Sequence, residues 1–349
     1  MADDTLIEWT KVPGATRGAT WNIMSGCNKV SPACKNCCAE RDWRRLSKNP
    51  KAAKYLGREF GDVQVHPELL DQPVRWTAPR GILIALMSDM FHDKVPTEFL
   101  DKVFAVVALA KQHTFLGLTK RAERMSAYFT EVPPEALMAR WSAAAADMGY
   151  LLRSEDISFP LANLWLGVTA EDQETADSRI PYLLDTPAVV RFVSAEPLLG
   201  ELDLIPYMGG RTYSCSCGFK HTEAEMAFGG GEHYFCTECG EQCAIHPSLD
   251  WVIAGGESGT KARPTVVHWF RALRDQCRAT GTPFFFKQWG EWAYIGKEPA
   301  DVQDAARRYG PTVRCYSTAD GETSVRIGKK AAGYLLDGRE HREFPQCAA

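Results

Sequence analysis

Trp21-Asn-Ile-Met-Ser-Gly-Cys27-Asn-Lys-Val-Ser-Pro-Ala-Cys34-Lys-Asn-Cys37-Cys38-Ala-Glu40 puts three regularly usable thiols on one loop, between a short apolar stretch and a charged, helix-like segment. Read as strand, loop and helix, it is the first unit of a repeating β/α chain. Three thiolates on a loop after a first strand can hold three irons of a [4Fe–4S] cluster, since thiolate is the usual protein ligand for such clusters. The fourth iron is then open, the starting point of radical chemistry with S-adenosylmethionine. The same C-x6-C-x2-C spacing also suits half of a structural zinc site, with Cys38 as a further sulfur. Spacing alone leaves both readings standing.

Working outward, apolar β-branched runs alternate with helical patterns. The expected strands are Thr20–Met24, Ile82–Met87, Thr114–Leu118, Leu164–Val168, Val189–Val193, Trp251–Ala254 and Pro283–Phe286. Near-continuous apolar runs of this kind fit parallel strands covered on both faces. Helices are expected at Ala39–Asn49, Glu98–Ala110, Glu123–Phe129, Ala136–Asp147, Glu174–Leu184 and Val267–Ala279. Such alternation implies a wound parallel sheet or a (β/α) barrel. Polar residues follow nearly every strand: Cys27, then Ser88 and Asp89, then Thr119, Lys120 and Arg121. Thr169 and Glu171, Ser194 and Glu196, Glu257 and Ser258, and Lys287 and Gln288 come after the later strands. The C-terminal strand ends of a barrel form its active-site mouth. Ser88, Thr169 and Ser194 also suit helix N-caps. Lys120, Glu196, Glu257 and Lys287 together point to a polar site.

The chain has 349 residues, 45% apolar and 24% charged, enough for one large domain or two smaller ones. No apolar run reaches the roughly 18 residues of a membrane span, and the first residues lack the pattern of a signal peptide. Twelve cysteines without an export signal suggest a reducing, cytoplasmic setting, where thiols serve metals or chemistry. The net charge of −4 gives no global basic field. Arg41, Arg44, Arg45, Lys48, Lys51, Lys54 and Arg58 are nevertheless crowded together, and the simplest account of them is a solvated helix face.

Two segments break the alternation. Cys215 and Cys217, then Cys236 and Cys239, form two knuckle-like turns and read as a zinc ribbon inserted after the fifth strand, with Cys243, His221 and His246 as alternative ligands. After Trp292 the chain turns polar, with a short helix expected near Lys329–Leu336. The expected organisation is a barrel over residues 1–206 and 249–292, a ribbon over 207–248 and a C-terminal appendage over 293–349.

These motifs resemble the phage Gp37/Gp68 family, radical-SAM-like proteins with an unusual cysteine spacing. The likeness rests on Ile7-Glu-Trp-Thr, Ala19-Thr-Trp-Asn, Gly26-Cys-Asn-Lys-Val-Ser-Pro-Ala-Cys-Lys-Asn-Cys, Gly57-Arg-Glu-Phe, Met87-Ser-Asp-Met-Phe-His92, Leu118-Thr-Lys-Arg and Trp165-Leu-Gly-Val. In the second half it rests on Arg191-Phe-Val-Ser-Ala-Glu-Pro-Leu-Leu-Gly, Gly255-Gly-Glu-Ser-Gly, Ala262-Arg-Pro and Phe284-Phe-Phe-Lys-Gln-Trp-Gly-Glu. It covers nearly the whole chain. It departs from ordinary radical SAM enzymes in its six-residue first gap, and from its own family in carrying Cys38 where tyrosine is usual. On an extended loop, Cys37 and Cys38 would point to opposite sides.

The resemblance implies a partial, TIM-like (β/α) barrel of the radical SAM type, a [4Fe–4S] cluster on Cys27, Cys34 and Cys37, S-adenosylmethionine and an external electron donor. Ser88 and Asp89 would receive the amino group of S-adenosylmethionine, and Lys120, Arg121 and Thr169 its carboxylate or ribose. Glu171, Glu196, Glu257, Lys287 and Gln288 would face substrate, with Glu196, Glu257 and Lys287 catalytic. The implied substrate is nucleic acid, concretely an amino-acid adduct on a DNA thymine rearranged by an isomerase in phage hypermodification. Trp21, Phe91, Trp289 and Trp292 could stack a flipped base. The competing readings are a non-enzymatic zinc-binding module that recruits a partner, and a radical SAM enzyme acting on protein or peptide.

Overall fold

Seven apolar segments pair edge to edge in the order in which they occur along the chain: β1 (Arg17–Trp21), β2 (Arg80–Ile84), β3 (Thr114–Thr119), β4 (Leu164–Thr169), β5 (Val190–Ala195), β6 (Trp251–Gly255) and β7 (Phe284–Gln288). All neighbours are parallel, in registers such as Ala19↔Ile82, Leu116↔Trp165 and Val252↔Phe284. This computed structural model describes residues 4–217, 220–222, 227–228 and 234–346. Parallel neighbours need crossovers. Helices α1 (Cys38–Leu46), α2 (Thr97–Leu109), α3 (Ala122–Thr130), α4 (Pro134–Asp147), α5 (Gln173–Asp185) and α6 (Val267–Thr280) supply five of the six, and the connection from β5 to β6 carries the insert. The result is a partial (β/α) barrel whose two edges are β1 and β7.

Period-two alternation divides the strand residues between two cores. Ile82, Phe115, Leu166, Val193, Val252 and Phe286 face the helices and join one large cluster. Leu83, Leu116, Trp165, Phe192, Ile253 and Phe285 fill the inside, together with Trp9 and Val12. Trp9 sits on a short turn, Glu8–Thr10, that packs against β1, β2 and β7 and so bridges the open edges. Gly81 makes room for this turn: a Cβ there would stand 1.8 Å from the Thr10 carbonyl oxygen. The far end of the chain returns to the same region. The Phe286 N–H donates to the His341 carbonyl (2.8 Å), and the Phe344 ring lies 5.2 Å from that of Trp251.

The first two strands begin and end earlier than the apolar pattern predicts. Ile23 and Met87 are buried past the strand ends, and Met24 begins a separate two-residue strand, Met24–Ser25, that pairs antiparallel with Gln64–Val65. Ala85 takes a φ of 58°, so the second run turns there rather than at Met87. The insert builds sheets of its own: Ala244–His246, Thr212–Ser214 and Lys220–Thr222 form one, Ala227–Phe228 and Tyr234–Phe235 another. Residues 292–326 hold a three-stranded antiparallel sheet. The helix expected at Lys329–Leu336 stops at Ala332, because Gly333 adopts a φ of 73°.

Candidate active site at the strand ends

The cysteine loop leaves β1 pinned by backbone. Gly26 N–H donates to the Met87 carbonyl (3.1 Å), Cys27 N–H to that of Phe60 (2.9 Å), and Ser88 Oγ to that of Gly26 (2.5 Å). Ser88 thus holds the loop from the neighbouring strand end. A 3-10 turn spans Pro32–Asn36, Cys37 closes it, and Cys38 starts α1. The two adjacent cysteines therefore sit on a turn-to-helix junction and not on an extended loop. Their thiols shift one another in opposite directions, Cys37 upward and Cys38 downward. Cys27, Cys34, Cys37 and Cys38 are free thiols, the first three half-buried and Cys38 exposed. Burial, then the Asp89 carboxylate, pushes the Cys27 thiol up. The hydrogen bond from Cys37 pulls Cys38 down to about 6, helped by Lys287 and Arg41.

Asp89 is 7% exposed and saturated. It accepts from Thr119 Oγ1 (2.6 Å) and from the backbone N–H groups of Phe91 and Lys120 (3.0 Å each), and pairs with Arg121 (3.1 Å). Arg121 in turn points a guanidinium N–H at Cys27 Sγ, 3.7 Å away. Asp89 therefore reaches the cysteine loop through Arg121, with no lone pair left over. The Lys120 ammonium, by contrast, makes no hydrogen bond or ion pair among the described residues.

Glu257 is turned into the cysteine loop rather than toward an open cleft. Arg263 grips it from Nη2 (2.6 Å), Nε (2.9 Å) and its backbone N–H (2.7 Å), and Asn36 Nδ2 adds a bond of 3.0 Å. Asn36 lies between Cys34 and Cys37, and Arg263 also donates to the Pro32 carbonyl (3.1 Å). Burial alone would raise the Glu257 pKa, but these donors outweigh it and hold the carboxyl low. The tight path that delivers Glu257 needs Gly256, where a Cβ would meet the Trp289 carbonyl oxygen at 1.9 Å. Arg263 and Asn36 are positions that sequence reasoning missed as site residues. Ala262-Arg-Pro stood out only as a motif, with nothing to name its partner.

Glu196 and Lys287 form an ion pair of 3.1 Å, and Ser194 Oγ donates to Glu196 (3.3 Å). Burial opposes the Lys287 charge, but Glu196, then Glu8 and Cys38, outweigh it and raise its pKa. The ends of β5 and β7 thus bring together Glu196 and Lys287, and the Lys287 charge acts on Cys38 at the start of α1. Glu171 is elsewhere: it is fully buried, tied to Arg179 on α5 (2.8 Å), and Thr169 is buried beside it with its carbonyl on the same guanidinium (2.7 Å). Gln288 donates to Ser258 Oγ (3.0 Å).

The aromatic residues expected to stack a base are inside the protein. Trp21 and Phe91 have no exposed surface, and Trp289 and Trp292 are 6% and 7% exposed. Their indole N–H groups are bonded to the carbonyls of Leu69, Leu335 and Ala262. They are core residues, as packing alone would make them. A cavity of about 950 Å³ lies at the other end of the strands, near Arg80, His113 and Asn163, and holds none of the residues above.

In the insert, the sulfurs of Cys215, Cys217, Cys236 and Cys239 all lie within 4.8 Å of one another, close enough to hold a single metal ion. Cys243 is buried nearby. His246 is bonded to Ser214 Oγ (2.7 Å) instead of joining the tetrad, and the His221 side chain lies outside the described residues. Among the described residues no helix is long and apolar enough to cross a membrane.

The chain belongs to the DUF5131 family, described as "Protein of unknown function (DUF5131)", which matches residues 4–345. No curated protein matches it. Among solved structures, spore photoproduct lyase complexed with dinucleoside spore photoproduct is similar at 9% identity and a TM-score of 0.34, over 92% of this chain and 71% of that one.

Proposed function

We propose that this member of the DUF5131 family is a radical S-adenosylmethionine enzyme of the Gp37/Gp68 type, acting on nucleic-acid bases. The observation that carries the reading is the cysteine loop: three free, half-buried thiols at a barrel strand end, with a guanidinium aimed at one of them. That donor set fits a [4Fe–4S] cluster, for which thiolates are the ligands and hydrogen bonds to sulfur tune the potential. A cluster held there with S-adenosylmethionine supplies a 5′-deoxyadenosyl radical.

The chain's own residues have separate tasks in this account. Cys27, Cys34 and Cys37 are the ligands. Arg121, held by Asp89, places positive charge on Cys27, and Glu257 with Arg263 fixes the turn that carries Cys34 and Cys37. Lys120, with its ammonium free, binds the carboxylate of S-adenosylmethionine. Glu196 and Lys287 line the mouth, where the pair can hold or pass a proton at the substrate. The substrate we favour is a thymine carrying an N-linked amino-acid group in phage DNA, rearranged to a C-linked one. Nucleoside mass spectrometry after incubation of such DNA with enzyme, S-adenosylmethionine and dithionite tests it. A new nucleoside is expected. Cleavage of S-adenosylmethionine with unchanged nucleosides, but with a modified peptide, would move the substrate to protein.

Two variants divide these roles. Lys120→Ala is expected to weaken S-adenosylmethionine binding about ten-fold or more, the loss of one charge-assisted hydrogen bond at about 1.5–3 kcal/mol. Glu196→Gln should still cleave S-adenosylmethionine but form no product. Normal product from Glu196→Gln would remove that residue from the chemistry.

The tetrad of the insert is proposed to hold zinc in a structural role. Closed four-sulfur sites contribute folding free energy directly. Cys236→Ser should lower zinc content and the melting temperature together, while iron content is unchanged. Zinc retained at the wild-type level would exclude the tetrad.

A further inference from the structure

Nine basic residues and only two acidic ones lie between Cys27 and Arg58, in a chain whose net charge is −4. Arg41, Arg44, Arg45 and Lys48 follow one another at helical spacing along and just past α1, all exposed, while Ala39 and Trp43 hold the opposite face in the core. The line continues into a cavity of about 160 Å³ against the cysteine loop, lined by Lys35, Arg41, Arg44 and Lys261, with Cys37 and one carboxylate, Glu40. Few of these charges are spent internally. Arg44 approaches Glu40 at 3.6 Å, and Arg41 approaches Asp42 at 3.9 Å and donates to the Ser258 carbonyl at 3.0 Å. Lys35, Arg45, Lys48 and Lys261 make no ion pair among the described residues.

The helix dipole accounts for Arg44 and Arg45 in the last turn of α1. It does not account for Lys35, Lys48 or Lys261, which lie outside the helix. We propose that this line is a phosphate-binding track that grips the backbone of a nucleic-acid strand and presents a base at the mouth beside Cys38 and Lys287. This deepens the reading above, from which it takes its substrate class. From Arg41 to Lys48 is about 10 Å at 1.5 Å per residue, three nucleotide steps at about 3.4 Å each. The pattern favours repeated phosphates over an acidic protein, because lysine is depleted in protein interfaces, whereas Lys35, Lys48 and Lys261 make up half of this line.

The test is fluorescence anisotropy of a labelled oligothymidylate on the full-length, metal-loaded protein. Lys35→Glu/Lys261→Glu and Arg45→Glu/Lys48→Glu are the informative variants. Arg307→Glu, exposed on the helix Pro299–Tyr309, is the control with a like charge reversal. Each double variant should weaken binding at low salt by about ten-fold or more and reduce the slope of log K against log salt by about one per lost phosphate contact. The control should bind as wild type. Wild-type affinity in both double variants would overturn the track. So would equal competition by polyglutamate at matched charge, which would mark a surface for acidic proteins. Cleavage of S-adenosylmethionine without nucleic acid is measured in parallel. Its loss in the wild type would sink the radical reading while leaving the binding result to decide the track.

Discussion

Replacing any one of Cys27, Cys34 or Cys37 by alanine is expected to remove bound iron and bring cleavage of S-adenosylmethionine down to background. With one iron of the cube open, each of the other three has a single thiolate, so no member of the set can be spared. Cys38→Tyr is the informative contrast. Cys38 begins α1, is exposed, and lies beside Lys287 and Arg41. Its replacement should leave iron in place. Iron retained in Cys37→Ala and lost in Cys38→Tyr would exchange the two assignments.

The second large effect is expected at Glu257. Glu257→Ala leaves the Arg263 guanidinium and the Asn36 amide without their acceptor in a site that is 6% exposed at Glu257. Breaking a fully buried pair by removing one partner costs about 3–5 kcal/mol, and the cost here falls below that because the Arg263 side chain left behind is 27% exposed. Because Asn36 belongs to the turn carrying Cys34 and Cys37, iron should be lost more easily as well as stability, read by chemical denaturation and iron release to a chelator. The same residue sets an acid dependence. Its carboxyl is held below the ordinary value of about 4.3. Its contribution is therefore complete above that value and fades as pH falls through its lowered pKa. Glu257→Gln should lack that acid-linked loss. An Ala variant as stable as wild type would show that the Arg263 clamp is dispensable.

Much of this architecture was legible in the sequence because parallel strands covered on both faces are apolar throughout. Val190–Ala195 and Trp251–Gly255 are buried at every position, and the apolar runs Val189–Val193 and Trp251–Ala254 overlap them. The ends were less legible. Apolar pattern reports burial and not pairing, so Ile23 and Met87, which pack past the strand ends, read as strand, while Met24 does pair, but with Val65 in a separate two-stranded sheet. Site residues were legible as a ring of polar groups but not as partners. Nothing in the spacing says that Asp89 spends both oxygens on β3 and its following turn, or that Glu257 faces the cysteine loop. Six residues separate Glu257 from Arg263, and 221 separate it from Asn36, which touches the same carboxylate. Glu171 shows the same difficulty: a carboxylate after a strand reads as exposed until Arg179, on the helix that follows, is seen to cover it. The tetrad was the easier case, because paired cysteines close to one another along the chain must form turns.

The central claim is that Cys27, Cys34 and Cys37 hold a four-iron cluster with one iron open to S-adenosylmethionine. Electron paramagnetic resonance of the anaerobically reconstituted, dithionite-reduced protein, with and without S-adenosylmethionine, tests it most directly. The account predicts a reduced-cluster signal whose g-values change when S-adenosylmethionine is added, and which is missing in Cys34→Ala. A colourless protein that binds zinc in both the cysteine loop and the insert, with no signal under any condition, would contradict it.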